Sequence, residues 1–245
     1  MRPLPLVALS LLAQPLLALP ANGAVTPPSL LPAGAKELST TMQIIILMTL
    51  LTLLPAIVMS LTPFLRISIV LHFLRQALGT QSAPSNQVLV GLALFLTMVL
   101  IEPLGLQIYR EAWAPMEAGS ISAPQAWEIG TKPLKAYLVH FVREKDVKLF
   151  LDITHAPKPR TAADLELTVL APAYILSEMR AGFQIGAVLF LPFLLIDIIV
   201  ASVTLSIGMV QLPPVMVSAP FKLLLFVLVD GWNLTIGSLM KGFYA

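Results

Sequence analysis

The sequence predicts an all-α membrane protein made of two long apolar helical hairpins with a small polar helical insert between them. Three observations lead there. Of the 245 residues, 57% are hydrophobic and only 11% charged, against about 25% charged in ordinary soluble domains. The apolar residues are gathered into long runs rather than spread in alternation, and mean hydropathy is +0.87. Lastly, 18 of the 28 charged residues fall in one stretch, 103–183. A soluble chain of this length cannot hide so much apolar surface, so lipid or protein partners must cover it.

Residues 1–24 read as a signal peptide. Arg2 supplies the positive end, Leu4 to Leu19 a short apolar core, and Ala21-Asn22-Gly23-Ala24 the small residues of a cleavage site. Pro5, Pro15 and Pro20 argue against the other reading, a permanent first anchor. Residues 25–41 form an exposed linker rich in Pro, Ser, Gly and Thr.

The first apolar hairpin is expected over 42–102. Met42 to Leu61 is uncharged and long enough to span a bilayer, with Pro55 as a kink. Phe64 to Leu78 carries Arg66, His72 and Arg75 among large apolar residues, which suits an amphipathic helix. Gly79 to Asn86 is a turn by composition, and Val88 to Ile101 is again apolar, with Glu102-Pro103 expected to end it. The polar insert, 103–183, holds nine basic and nine acidic residues. Helices are expected near 106–113, 124–130 and 134–152, with Glu144, Lys145, Asp146 and Lys148 as a solvated face. The second apolar hairpin is expected over 184–245, turning at Gly208-Met209-Val210-Gln211-Leu212-Pro213-Pro214. Arg66 and Arg75, with no acid beside them, place the first turn on the cytoplasmic side and the insert in the periplasm.

Function classes narrow quickly. Net charge is only +2, without a basic run or a basic face interleaved with aromatics, so no nucleic acid is expected as a partner. Cys is absent, and His72, His140 and His155 have no metal-ligand spacing, so neither metal nor cofactor is expected. No phosphate-binding Gly-x-x-x-x-Gly-Lys loop occurs, and Asp230 lacks the glycine pattern of an intramembrane aspartyl protease. The chain reads as no enzyme. Asp197, Lys222 and Asp230 are charges inside apolar runs, where a lone charge is costly and must find a partner. With Glu178 and Arg66 they form the set expected to act in charge pairing and assembly. Asp197 and Lys222 flank the second turn at depths about 7 Å apart at 1.5 Å per residue, within reach of a lysine, so a pair within the chain and a partner on another subunit are equally open. Gly182 and Gly186, four residues apart, suit close helix contact.

Several blocks resemble one family. They are Arg75-Gln76-Ala77-Leu78-Gly79-Thr80, Asn86-Gln87-Val88-Leu89, Pro192-Phe193-Leu194-Leu195-Ile196-Asp197, Leu212-Pro213-Pro214, and Pro220-Phe221-Lys222 running on to Asp230-Gly231-Trp232. These are similar to the FliP-like family of type III secretion export-gate proteins, from about residue 45 to 240. The resemblance implies a homo-oligomeric core subunit of the flagellar export gate. That gate is built with FliQ-like and FliR-like subunits and other basal-body export proteins, sits in the bacterial inner membrane, and passes unfolded flagellar proteins. Injectisome subunits share the blocks but usually lack a signal peptide, which favours the flagellar branch; a stand-alone transporter is the alternative from another class. The resemblance also places a pore constriction at Met209, Val210 and Gln211. Family members commonly carry consecutive methionines there, and only Met209 matches, with Met216 as a further candidate for the seal.

Overall fold

The structure, a computed structural model, describes residues 40–80, 83–157, 159, 161, 164–209, 211 and 213–244. The expected signal peptide and nearly all of the linker lie outside the described residues. The chain divides into two units, 1–52 and 53–245. Within the first, the described residues are 40–52, an uncharged helical stretch beginning helix α1, Thr40–Ser60. Pro55 lies inside α1, and its apolar side chains are largely exposed.

The second unit holds the rest of the fold: α2 (Phe64–Ala77), α3 (Asn86–Ile108), a π-helical turn (Tyr109–Trp113), α4 (Ala114–Glu117), α5 (Ala123–Phe141), α6 (Glu144–Thr154), α7 (Leu167–Ser206), α8 (Pro214–Leu228) and α9 (Gly231–Tyr244). Among the described residues there is no strand. The fold is all-α. Among the described residues, three segments are long and apolar enough to cross a membrane: Thr41–Ser60, Asn86–Glu117 and Leu167–Ser206. α8 and α9, bent by 65° at Val229-Asp230, make a fourth if counted as one broken span.

α2 is the helix around which this unit is organised. Ile67, Val70, Leu71 and Leu74 are fully buried, each stabilising the fold by about 1.5–3 kcal/mol as an upper bound. The first three pack with Leu89, Ala93 and Leu100 of α3 and with Leu239 and Phe243 of α9. Leu74, Ala77 and Leu78 pack with Phe193 of α7 and Phe226 of α8. A third cluster ties Leu138 of α5 to Leu165, Val169, Leu170 and Tyr174 at the start of α7.

The α2–α7 contact has a register. Arg66 meets Glu178, Ile69 lies over Gly182 and Phe73 over Gly186. Both series ascend, the first in steps of three and four and the second in steps of four, so the two helices run parallel with one face of each in contact. A Cβ on Gly182 would come within 3.0 Å of Ile69 Cβ, and one on Gly186 within 2.5 Å of the Phe73 ring. Only glycine lets the backbone of α7 approach this closely. α7 and α8 run antiparallel instead, with Phe193 against Phe226 and Asp197 against Lys222.

Two sequence expectations need correction. Pro103 does not end α3, which runs on to Ile108 and then through the π turn. The ring sits on an exposed face, where one lost backbone hydrogen bond is tolerated within a long apolar helix. Likewise Pro133 lies inside α5, and the break comes at Val142 and Arg143. There the Arg143 N–H donates to Ser177 Oγ of α7 at 3.0 Å, so a tertiary bond takes the donor a continuing helix would use. The composition change at 183–184 falls inside α7, a single helix of 40 residues that contains both Pro172 and Pro192.

These contacts separate two kinds of glycine. Gly186→Ala should destabilise the full chain by about 1–3 kcal/mol through overpacking on Phe73. Gly105→Ala, in the interior of α3 with nothing within 4 Å of the added carbon, should stabilise by about 0.5–1 kcal/mol. Denaturant unfolding in detergent measures both, and the reverse order would contradict the close α2–α7 approach.

Candidate functional site: two buried ion pairs and an uncharged turn

Arg66 and Glu178, 112 residues apart, form a buried ion pair. Arg66 Nε donates to Glu178 Oε2 at 2.9 Å, and Nη2 donates to Oε1. Glu178 is fully buried and Arg66 nearly so. Such a two-pronged pair satisfies both carboxylate oxygens in one plane. The guanidinium also lies 4.2 Å from the centroid of the Phe243 ring and 5.5 Å from that of Phe141, where ring quadrupoles favour a cation. One arginine therefore joins α2, α5, α7 and α9. The rings of Tyr137 and Tyr174 lie 6.2 Å apart nearby. Burial is the main cause pushing the Tyr137 hydroxyl up to about 12, so it stays neutral across physiological pH.

The second pair is Asp197 with Lys222. Lys222 Nζ donates to Asp197 Oδ2 at 2.6 Å, and Ser218 Oγ donates to Oδ1 at 2.5 Å. Ser218 lies one turn before Lys222 on α8, so a single helix face presents both donors. Lys222 is 1% exposed while the Asp197 side chain is 19% exposed. Neutralised in this way, the two charges sit inside apolar helices at far lower cost than either would alone.

Asp230 does not join these pairs. It is exposed, its φ is +50°, and Oδ2 accepts a hydrogen bond from Asn233 Nδ2 at 3.1 Å. Its role is local: it forms the α8–α9 bend, in a left-handed conformation that Asp tolerates better than most residues. The next residue must be small, since a Cβ on Gly231 would fall 2.2 Å from the Phe226 ring. Asp146, read from sequence as part of a solvated face, is buried and accepts from Ser177 Oγ at 2.7 Å. Glu144, Lys145 and Lys148 around it are exposed. The Asp146–Ser177–Arg143 chain of hydrogen bonds thus docks the insert onto α7; a Ser one residue before Glu178 gave no sequence signal of it.

The turn after α7 is closed by backbone geometry. Gly208 N–H donates to Leu205 O and Met209 N–H to Thr204 O, both at 3.0 Å, with Gly208 at φ +84°. This is the Schellman arrangement, which requires a left-handed residue where glycine stands. Met209 and Gln211 are exposed, as is Met216 at the start of α8, while Val210 lies outside the described residues. Among the described residues no three His, Asp or Glu side chains gather as a metal site.

Comparison with known proteins gives the family. Residues 47–239 match the family model described as the FliP family. The flagellar biosynthetic protein FliP of Bacillus subtilis is 45% identical over 208 residues, covering 85% of this chain and 94% of that protein. That of Pectobacterium carotovorum is 45% identical over 223 residues, covering 91% and 86%. That of Caulobacter vibrioides is 44% identical over 210 residues, covering 86% and 79%. The chain belongs to the FliP family of flagellar biosynthetic proteins.

Proposed function

We propose that this protein is a core subunit of the flagellar protein-export gate in the bacterial inner membrane. In this reading, copies of the chain assemble with FliQ-like and FliR-like subunits around a channel for unfolded flagellar proteins. The observation that carries the proposal is the match to flagellar biosynthetic proteins over 85–91% of the chain. A physical feature supports it. In a single copy, α7 and α8 leave Val188, Leu191, Leu195, Phe221, Leu224 and Val227 more than half exposed, apolar side chains that a partner or lipid would cover.

The charges then serve assembly rather than chemistry. The Asp197–Lys222 pair fixes α7 against α8 and so sets the apolar faces those helices offer to neighbours. The turn between them carries no charge, and its Schellman closure and the Pro213-Pro214 start of α8 define a short loop with exposed Met209 and Gln211. We assign Met209, Val210 and Gln211 to the narrowest point of the resting channel, with Met216 beside them. An unbranched methionine adapts to varied surfaces, which suits a seal.

Two outcomes follow. Lys222→Ala leaves the Asp197 carboxylate without its cation, costing about 3–5 kcal/mol where burial is complete. The complex should fail to form on native gels and motility should be lost; an intact complex that had merely stopped exporting would point to a chemical role for the pair. By contrast, replacing Met209-Val210-Gln211 with three glycines should leave the assembled complex intact but allow small ions to leak. Membrane conductance of cells expressing the variant measures this, and an assembled variant as tight as the parent would move the seal elsewhere.

A further inference from the structure

A cavity of about 410 Å³ opens where the end of α2 meets the start of α8, lined by His72, Arg75, Gln76, Gly79, Thr80 and Val215. We propose that it binds the phosphate group of an anionic glycerophospholipid headgroup. No group described above in the ion pairs or the turn 208–214 belongs to it.

The chemistry of the lining is that of an anion site. Arg75 makes one hydrogen bond among the described residues, Nη1 to the Pro84 carbonyl at a long 3.4 Å. Among the described residues most of its guanidinium donors have no partner, and their planar fork matches phosphate oxygens. The Thr80 hydroxyl already donates to the Arg75 carbonyl at 3.2 Å, which fixes the turn beside the guanidinium. His72 is held between the Ser68 carbonyl at 2.7 Å on Nδ1 and Asn86 Oδ1 at 2.8 Å on Nε2. It thereby brings the N-terminus of α3 to the cavity's edge. None of the lining residues is acidic, and residues 61–101 contain two arginines, one histidine and no carboxylate. Two helices begin here without a side-chain cap, α3 after Ser85 and α8 after Pro213. The positive ends of these helix dipoles add to the potential created by the cation.

Placement distinguishes a lipid from a soluble anion. Asn86, bonded to His72, is the first residue of the apolar segment Asn86–Glu117, and Val215 opens the bent apolar pair that begins at Pro214. The cavity therefore sits at the ends of two apolar elements, the level at which headgroups lie if these segments contact a bilayer. Gly79, at φ +74°, packs against Val215 and Ala219 of α8 and keeps the cavity floor free of a side chain. The proposal rests on the membrane location given above, but its readout is lipid retention by the isolated chain, separate from any export role.

The test uses the full chain, delipidated in detergent and offered phosphatidylglycerol, phosphatidylcholine or inorganic phosphate, with retained ligand counted by native mass spectrometry. Phosphatidylglycerol should be retained about tenfold more than phosphatidylcholine, whose phosphate is the same but whose choline cation would lie against Arg75, and Arg75→Gln should remove that preference while Arg75→Lys keeps part of it. Arg110→Gln, an exposed arginine of the insert, should leave the preference unchanged. Should Arg75→Gln not fold, thermal stabilisation of the parent chain by each ligand decides instead, with phosphatidylglycerol raising Tm and phosphatidylcholine not. Equal retention of both lipids, or selectivity that survives Arg75→Gln in a folded chain, overturns the proposal. Stabilisation by inorganic phosphate without preference for phosphatidylglycerol overturns the lipid assignment.

Discussion

The bond between Arg66 and Glu178 constrains the rest of this fold. Two full charges taken out of water lose several kcal/mol of hydration each, and only good geometry returns it. That geometry is available in one register of α2 against α7, the register that also seats Ile69 on Gly182 and Phe73 on Gly186. A slip by one turn would leave a carboxylate buried alone and drive either Phe73 or Ile69 into a side chain, according to its direction. Polar and steric terms thus select the same arrangement, as a sequence that specifies one structure requires. The two rings flanking the guanidinium extend the constraint to α5 and α9, so helices from both ends of the unit converge on one arginine.

With α2 and α7 fixed, the remainder of α7 becomes a rigid rail. Its far end turns back through Gly208 and returns as α8, held by Asp197, Ser218 and Lys222 on the inner face. The outer faces of both helices stay apolar and exposed. A lone chain would not leave them so in water, and the charges within are already spoken for. What remains for neighbours to recognise is shape and apolar surface, which suits a subunit surrounded by lipid and by other subunits. The insert, docked through Asp146 and Ser177, carries most of the charge and faces solvent.

Much of this was legible in the sequence, and what was not has physical causes. Apolar runs report burial or lipid exposure directly, so α1 could be placed within a few residues, whereas α7 begins 18 residues before its apolar run and the last run divides into α8 and α9. Spacing about the turn put Lys222 within reach of Asp197, because antiparallel neighbours fold back on each other, but left a partner on another subunit equally open until the bond itself was seen. The partner of Arg66 did not, since a parallel contact across 112 residues leaves no local spacing to read. Pro103 misled because proline stops a helix only when nothing else holds it. Asp230 misled differently: it was read as a charge in an apolar run, but it marks a left-handed bend that leaves it exposed. Asp146 sat among true surface charges and was distinguished only by Ser177 on another helix.

The central claim, that the Arg66–Glu178 bond fixes α2 on α7, is tested most directly by a double-mutant cycle on unfolding of the full chain in detergent. Arg66→Met and Glu178→Leu, made singly, each leave a buried charge unpaired and should cost about 3–5 kcal/mol. Made together, they replace the pair by apolar groups of similar size, and the double variant should be more stable than either single one. Two small costs that simply add, with the double variant the least stable of the three, would contradict the account.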